Sequence, residues 1–93
     1  LSVTGDTTPN GTIDIPANGV LLCGCSATAG SNPTSGTWTG PTERSETNPA
    51  GENAVHTCAS DDHETVQSGY SVLVEFSPSP GQANMVCASF GSG

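Results

Sequence analysis

The chain has 93 residues, nine acids, one base and two histidines, for a formal net charge of −8. That length is one domain, residues 1–93, with a limited core. The lone cation, Arg44, cannot neutralise a nucleic-acid backbone or hold an anionic bilayer surface. With no lysine, Schiff-base chemistry and lysine isopeptide cross-links are also excluded.

Dense glycine and proline punctuation divides the chain into short pieces with period-two alternation, the pattern of strands. Leu1–Thr4 is strand-like and is set apart by Gly5, Pro9 and Gly11, so residues 1–11 can act as an N-terminal arm. Thr12–Ile15 puts Ile13 and Ile15 on one face, and Pro16–Gly19 is a turn with the Asn-Gly pair that favours positive φ. Val20–Ala27 is a strand carrying two cysteines, and a polar turn over 30–36 contains Asn32-Pro33. Thr37–Thr39 surrounds the only tryptophan, and 40–52 reads as a long acidic loop. Asn53–Ala59 alternates, whereas 60–69 is polar and acidic, a loop with room for one helical turn capped by Ser60. Tyr70–Phe76 and Ala83–Phe90 form the clearest hairpin, joined by 77–82, and 91–93 is a tail. No apolar run approaches the roughly 20 residues of a membrane helix, so no membrane insertion is expected.

These segments predict an all-β fold, a small antiparallel sandwich or barrel of six to seven short strands. Its expected core is Ile13, Ile15, Val20, Leu22, Trp38, Val55, Val72, Val74, Phe76, Val86 and the cysteines. Trp38 is expected as a core plug, the alternative being a surface patch with Tyr70. Large apolar side chains are few, so cross-links matter. The even count of Cys23, Cys25, Cys58 and Cys87 predicts two disulfides and an oxidising compartment. Each bridge would add about 2–4 kcal/mol. Cys23 and Cys25 lie on one face of one strand and cannot easily bond each other. Cys25–Cys58 with Cys23–Cys87 is the expected pairing; the crossed pairing stays open. The chain starts at Leu1 rather than Met, which fits removal of a secretory leader.

Candidate chemistry is thin. Asp61, Asp62, His63 and Glu64, with His56 and Cys58 just before, are weak metal candidates. Asp61–Thr65 resembles the paired-acid calcium loops of βγ-crystallin domains over five residues, without their closing serine or aromatic signature. An acidic solvated turn explains the cluster better, and no metal or other cofactor is expected. No Gly-x-Ser-x-Gly elbow or phosphate-cradling loop occurs, so the chain is not expected to be an enzyme. Asn10-Gly11-Thr12 is an N-glycosylation sequon at a turn, making Asn10 a candidate acceptor.

A secreted or cell-surface location follows. The leading expectation is a structural or adhesive subunit that self-assembles, as a homo-oligomer or filament, through strand edges or an exchanged N-terminal strand. Leu1 and Val3 would be the arm's buried residues, and edges without lysine would offer little repulsion. The alternative is a small secreted monomeric effector, toxin or inhibitor that binds a host or competitor protein through loops 40–52 and 77–82, and a protein or glycan ligand is the further partner class the sequence allows.

Overall fold

Alternating β-branched and small residues between turn signals leave the backbone little choice but the extended form. In the computed structural model, which describes residues 1–28, 33, 35–48 and 54–91, they form eight strands and no helix among the described residues. These are β1 (Ser2–Asp6), β2 (Asn10–Ile15), β3 (Gly19–Thr28), β4 (Ser35–Thr39), β5 (Thr42–Thr47), β6 (Ala54–His63), β7 (Gln67–Ser77) and β8 (Gln82–Phe90). All pairings are antiparallel. A five-stranded sheet runs β1-β8-β3-β6-β5 and a three-stranded sheet runs β2-β7-β4.

The two sheets pack face to face over a core of Ile15, Leu21, Cys23, Cys25, Ala27, Ala59, Val72, Val74, Ala83, Met85 and Cys87. Alanine and cysteine make up six of those eleven residues, so the interior is thin. Leu1, Val3, Ile13, Trp38, Tyr70 and Phe76 close its rim. Trp38 joins the layers: its indole Nε1 on β4 donates to Thr57 Oγ1 on β6 at 2.9 Å. Thr57 is 1% exposed, and its hydroxyl is satisfied by Trp38 and the Ser45 carbonyl, as burial of a polar group requires.

The structure corrects several expectations. Strands number eight rather than six or seven because 42–47, expected as loop, pairs with β6 as an exposed edge. The acidic stretch after Cys58 continues β6 to His63 instead of forming a loop or helical turn, since β3 is long enough to pair with all of it. Val20, Leu22 and Val86 do not enter the core. Leu22 is 48% and Val86 60% exposed, because β3 turns Leu21, Cys23, Cys25 and Ala27 inward instead. Much of the turn over 30–36, the end of the loop over 40–52, Asn53 and the last two tail residues lie outside the described residues. The β4–β5 connection uses Gly40 at φ 104°, where an added Cβ would stand 2.4 Å from the Ser71 carbonyl oxygen. Only glycine fits there.

Candidate functional site

The first strand is an edge strand that closes the core from outside. β1 pairs with β8 through Ser2↔Val86 and Val3↔Met85, and the register then slips before Asp6↔Ala83. At the slip Gly5 has φ 73°, and its amide donates to Asn84 Oδ1 at 2.8 Å rather than to the ladder. Ahead of it Leu1 makes a reciprocal pair with Cys87: the Cys87 amide donates to the Leu1 carbonyl at 2.8 Å, and the Leu1 nitrogen donates to the Cys87 carbonyl at 2.9 Å.

The alternation of β1 points Leu1 and Val3 at the core and leaves Ser2 and Thr4 exposed. Leu1 fits a notch over Gly11 on β2, in the other sheet. A Cβ built on Gly11 would lie 2.8 Å from Leu1 Cδ1, closer than carbon atoms pack. Gly11 is thus part of the arm's seat. The sequence showed it only as turn punctuation and as the middle of a sequon. After β1 the chain crosses between the sheets through a short link. Asp6 Oδ1 accepts the Thr8 amide at 3.0 Å, and buried Pro9 offers its carbonyl to the Val74 amide at 3.1 Å.

The remaining edges differ in charge. β5 carries Glu43, Arg44 and Glu46, a charged guard on the far edge of the larger sheet. Burial and the neighbouring Glu46 push the Glu43 carboxyl above the usual range. β4, with sequence SGTWT, has no charge at all.

The four cysteines divide by face. Cys23, Cys25 and Cys87 are buried between the sheets, whereas Cys58 is exposed on the outer face; all four are free thiols in this structure. Two disulfides therefore do not assemble. Neither Cys25–Cys58 nor the crossed Cys23–Cys58 is made in this structure, where Cys23 and Cys25 face in and Cys58 faces out. Cys23 and Cys87 stand directly opposite in the β3–β8 ladder. A hydrogen bond to Cys87, together with burial, pushes the Cys23 thiol well above its ordinary range. Burial, with Cys87 nearby, pushes Cys25 up to about 12.

Reactivity follows thiolate fraction and access. With iodoacetamide at pH 8, the reduced native chain should label at Cys58 alone, read by peptide mass, and at all four cysteines once unfolded. Labelling of Cys25 at the rate of Cys58 would contradict its burial.

The weak metal candidates are split by strand alternation. Asp61 and His63 turn inward at the end of the sandwich, and Asp62 and Glu64 turn outward. Asp61 Oδ2 accepts the Tyr70 hydroxyl at 2.8 Å and lies 2.9 Å from His63 Nε2. The His63 ring meets Tyr70 edge-on, with centroids 4.6 Å apart. His63 Nε2 has no hydrogen-bond partner among the described residues, although Asp61 Oδ2 is 2.9 Å away. Burial and Asp61 push the Tyr70 phenol up to about 12. The inward pair is thus engaged by a tyrosine. No cluster of three or more ligating side chains suited to a metal occurs among the described residues.

On the outer face of the larger sheet, Ser26 Oγ and His56 Nδ1 are 2.9 Å apart. They border a shallow dimple of about 270 Å³ with Gly24, Cys58, Asn84 and Val86. The sequence placed His56 and Cys58 on one face but gave no sign of Ser26, which comes from a separate strand. Asn10 is exposed at the start of β2, where its side chain donates to the Thr8 carbonyl at 2.8 Å. Compared with protein-family models, curated proteins and solved structures, the chain matches none of them.

Proposed function

We propose that this chain is an extracellular structural or adhesive subunit that assembles by passing β1 to the β8 edge of the next copy. The observation that carries this is the seat of β1. It is a short edge strand, anchored by only two half-buried apolar side chains, with its ladder interrupted after Val3. Full burial of such a side chain is worth about 1.5–3 kcal/mol, so half-burial of two makes release cost a few kcal/mol. A neighbour's β1 returns all of it, since donor and acceptor surfaces are identical. Each β8 edge receives one strand and each chain gives one, so exchange that does not close into a ring grows as a filament. Residues 6–10, with Pro9, form the hinge.

Cys23 and Cys87 are the pair suited to the single intrachain disulfide of this account. Directly opposite residues of an antiparallel pair have Cα atoms about 4.5–5.5 Å apart, within the range of a disulfide. Exchange with an external disulfide would join their two sulfurs and deliver two electrons and two protons to that oxidant. The bridge would brace β3 against β8, the strand that receives the arm. Exposed Asn10 is suited to carry a glycan in a host that glycosylates.

Native mass and electron microscopy test assembly. Ordered multimers that lengthen with concentration are expected. A chain that stays monomeric at millimolar concentration would sink the proposal and favour a monomeric effector.

A further inference from the structure

We infer that the outer face of the five-stranded sheet holds half of a zinc site, His56 and Cys58, which a second copy of the chain completes. The two residues are two apart on β6 and both are exposed, so their side chains leave the same face about 6.6 Å apart at the backbone. Between them and β8 lies Gly24, opposite both Cys58 and Val86. A Cβ added to Gly24 would meet nothing within 4 Å, so the floor of the dimple is open space.

Imidazole nitrogen and thiolate sulfur are the donors zinc prefers, at about 2.0–2.1 and 2.3 Å. The contact with Ser26 supplies the orientation such a ligand needs. When His56 Nδ1 donates to Ser26 Oγ, the lone pair is left on Nε2, as in histidines whose second nitrogen is held by an outer partner. Two donors are half of a tetrahedral set, and no third ligating side chain stands near among the described residues. A two-fold axis over Gly24 would bring a second His56 and Cys58 to the same ion. The two thiolates would balance its charge.

The surface around the dimple suits that partner. Leu22, Val86 and Phe90 stand on this face at 48%, 60% and 54% exposure. The β3, β6 and β8 residues across its middle are Ser26, His56, Asn84, Gly24, Cys58, Val86, Leu22, Ser60 and Ala88, none of them charged. A second copy of a chain with net charge −8 therefore meets no acid across that middle, Asp62 being set off in the end row beside Val20 and Phe90. This contact uses the sheet face rather than the β8 edge and does not depend on strand exchange.

The test is titration of the reduced full chain with zinc chloride by calorimetry, with cobalt(II) as a spectroscopic substitute. The expected result is one zinc per two chains and a cobalt spectrum with thiolate charge-transfer and tetrahedral bands. Both signals should be lost in Cys58→Ser and in His56→Ala. Ser26→Ala should weaken binding roughly tenfold or more. Gly24→Val should weaken it at least as much while the fold is retained, since the dimple has room for the side chain. Deleting Leu1–Thr4 should leave zinc binding unchanged, which separates this site from assembly by β1. No zinc binding, zinc retained in Cys58→Ser, or pairing only through a reducible Cys58–Cys58 bridge that ignores His56→Ala would each overturn the inference.

Discussion

A chain lacking Leu1–Thr4 should fold but no longer assemble, and a peptide of residues 1–6 should cap the multimers of the intact protein. Deletion removes both partly buried anchors, which pack against the core, and the reciprocal Leu1–Cys87 hydrogen bonds. The loss of apolar burial is about 1.5–3 kcal/mol. That is a large part of the 5–15 kcal/mol typical of a domain, yet less than all of it. Circular dichroism should keep its strand signal while the particles seen by electron microscopy disappear. Peptide in excess should compete for the β8 edge, since strand addition draws its affinity from main-chain bonds and its register from alternate side chains. Shortened multimers are expected in proportion to peptide. Unchanged multimers from the deleted chain would show that β1 serves only its own domain. Gly11→Ala offers a gentler version, because the added methyl would occupy the space of Leu1 Cδ1 and loosen the arm without removing it.

The second large effect concerns two adjacent leucines. Leu21→Ala should destabilise the chain by about 2–5 kcal/mol, as expected when a fully buried leucine leaves a cavity. Leu22→Ala should cost about 1 kcal/mol or less, because Leu22 lies on the outer face at 48% exposure. Urea denaturation of the two variants gives both numbers, with the slope expected to stay unchanged. A larger loss in Leu22→Ala than in Leu21→Ala would mean that β3 is out of register, since a slip of one residue exchanges the two faces.

That contrast marks the limit of what the alternation shows. Where one side of a strand is polar, the pattern is decisive: Val72 and Val74 on β7, and Ile15 on β2, lie where the sequence placed them. On β3 both faces are small or apolar, with Val20, Leu22 and Gly24 against Leu21, Cys23 and Cys25, so period two cannot say which face turns in. β8 has the same ambiguity: its pattern lets Val86 read as inward, although Met85 and Cys87 hold that side. Strand β5 was hidden because TERSET has no apolar residue to mark a face, and only the partner β6 makes it a strand.

The site was legible in part. The isolation of Leu1–Thr4 by Gly5, Pro9 and Gly11 pointed to an arm, and the structure makes it an edge strand. What seats it is spatial: Gly11 lies beneath Leu1 from the opposite sheet, a contact with no local signal in the chain. The cysteine count was misleading for a related reason. Even number and strand spacing are visible in the chain, but pairing depends on which face each thiol takes, and Cys58 takes the outer one.

The most direct measurement of strand exchange uses Ser2→Cys with Val86→Cys, a pair directly opposite in the β1–β8 ladder, in a Cys58→Ser background. Equal amounts of ordinary and ¹⁵N-labelled chain are unfolded together, refolded into multimers and oxidised. If β1 lies on the next copy, about half of the cross-linked peptide pairs carry one light and one heavy partner, as random mixing dictates. Cross-links joining only light to light and heavy to heavy would place every β1 on its own β8 and contradict assembly by strand exchange.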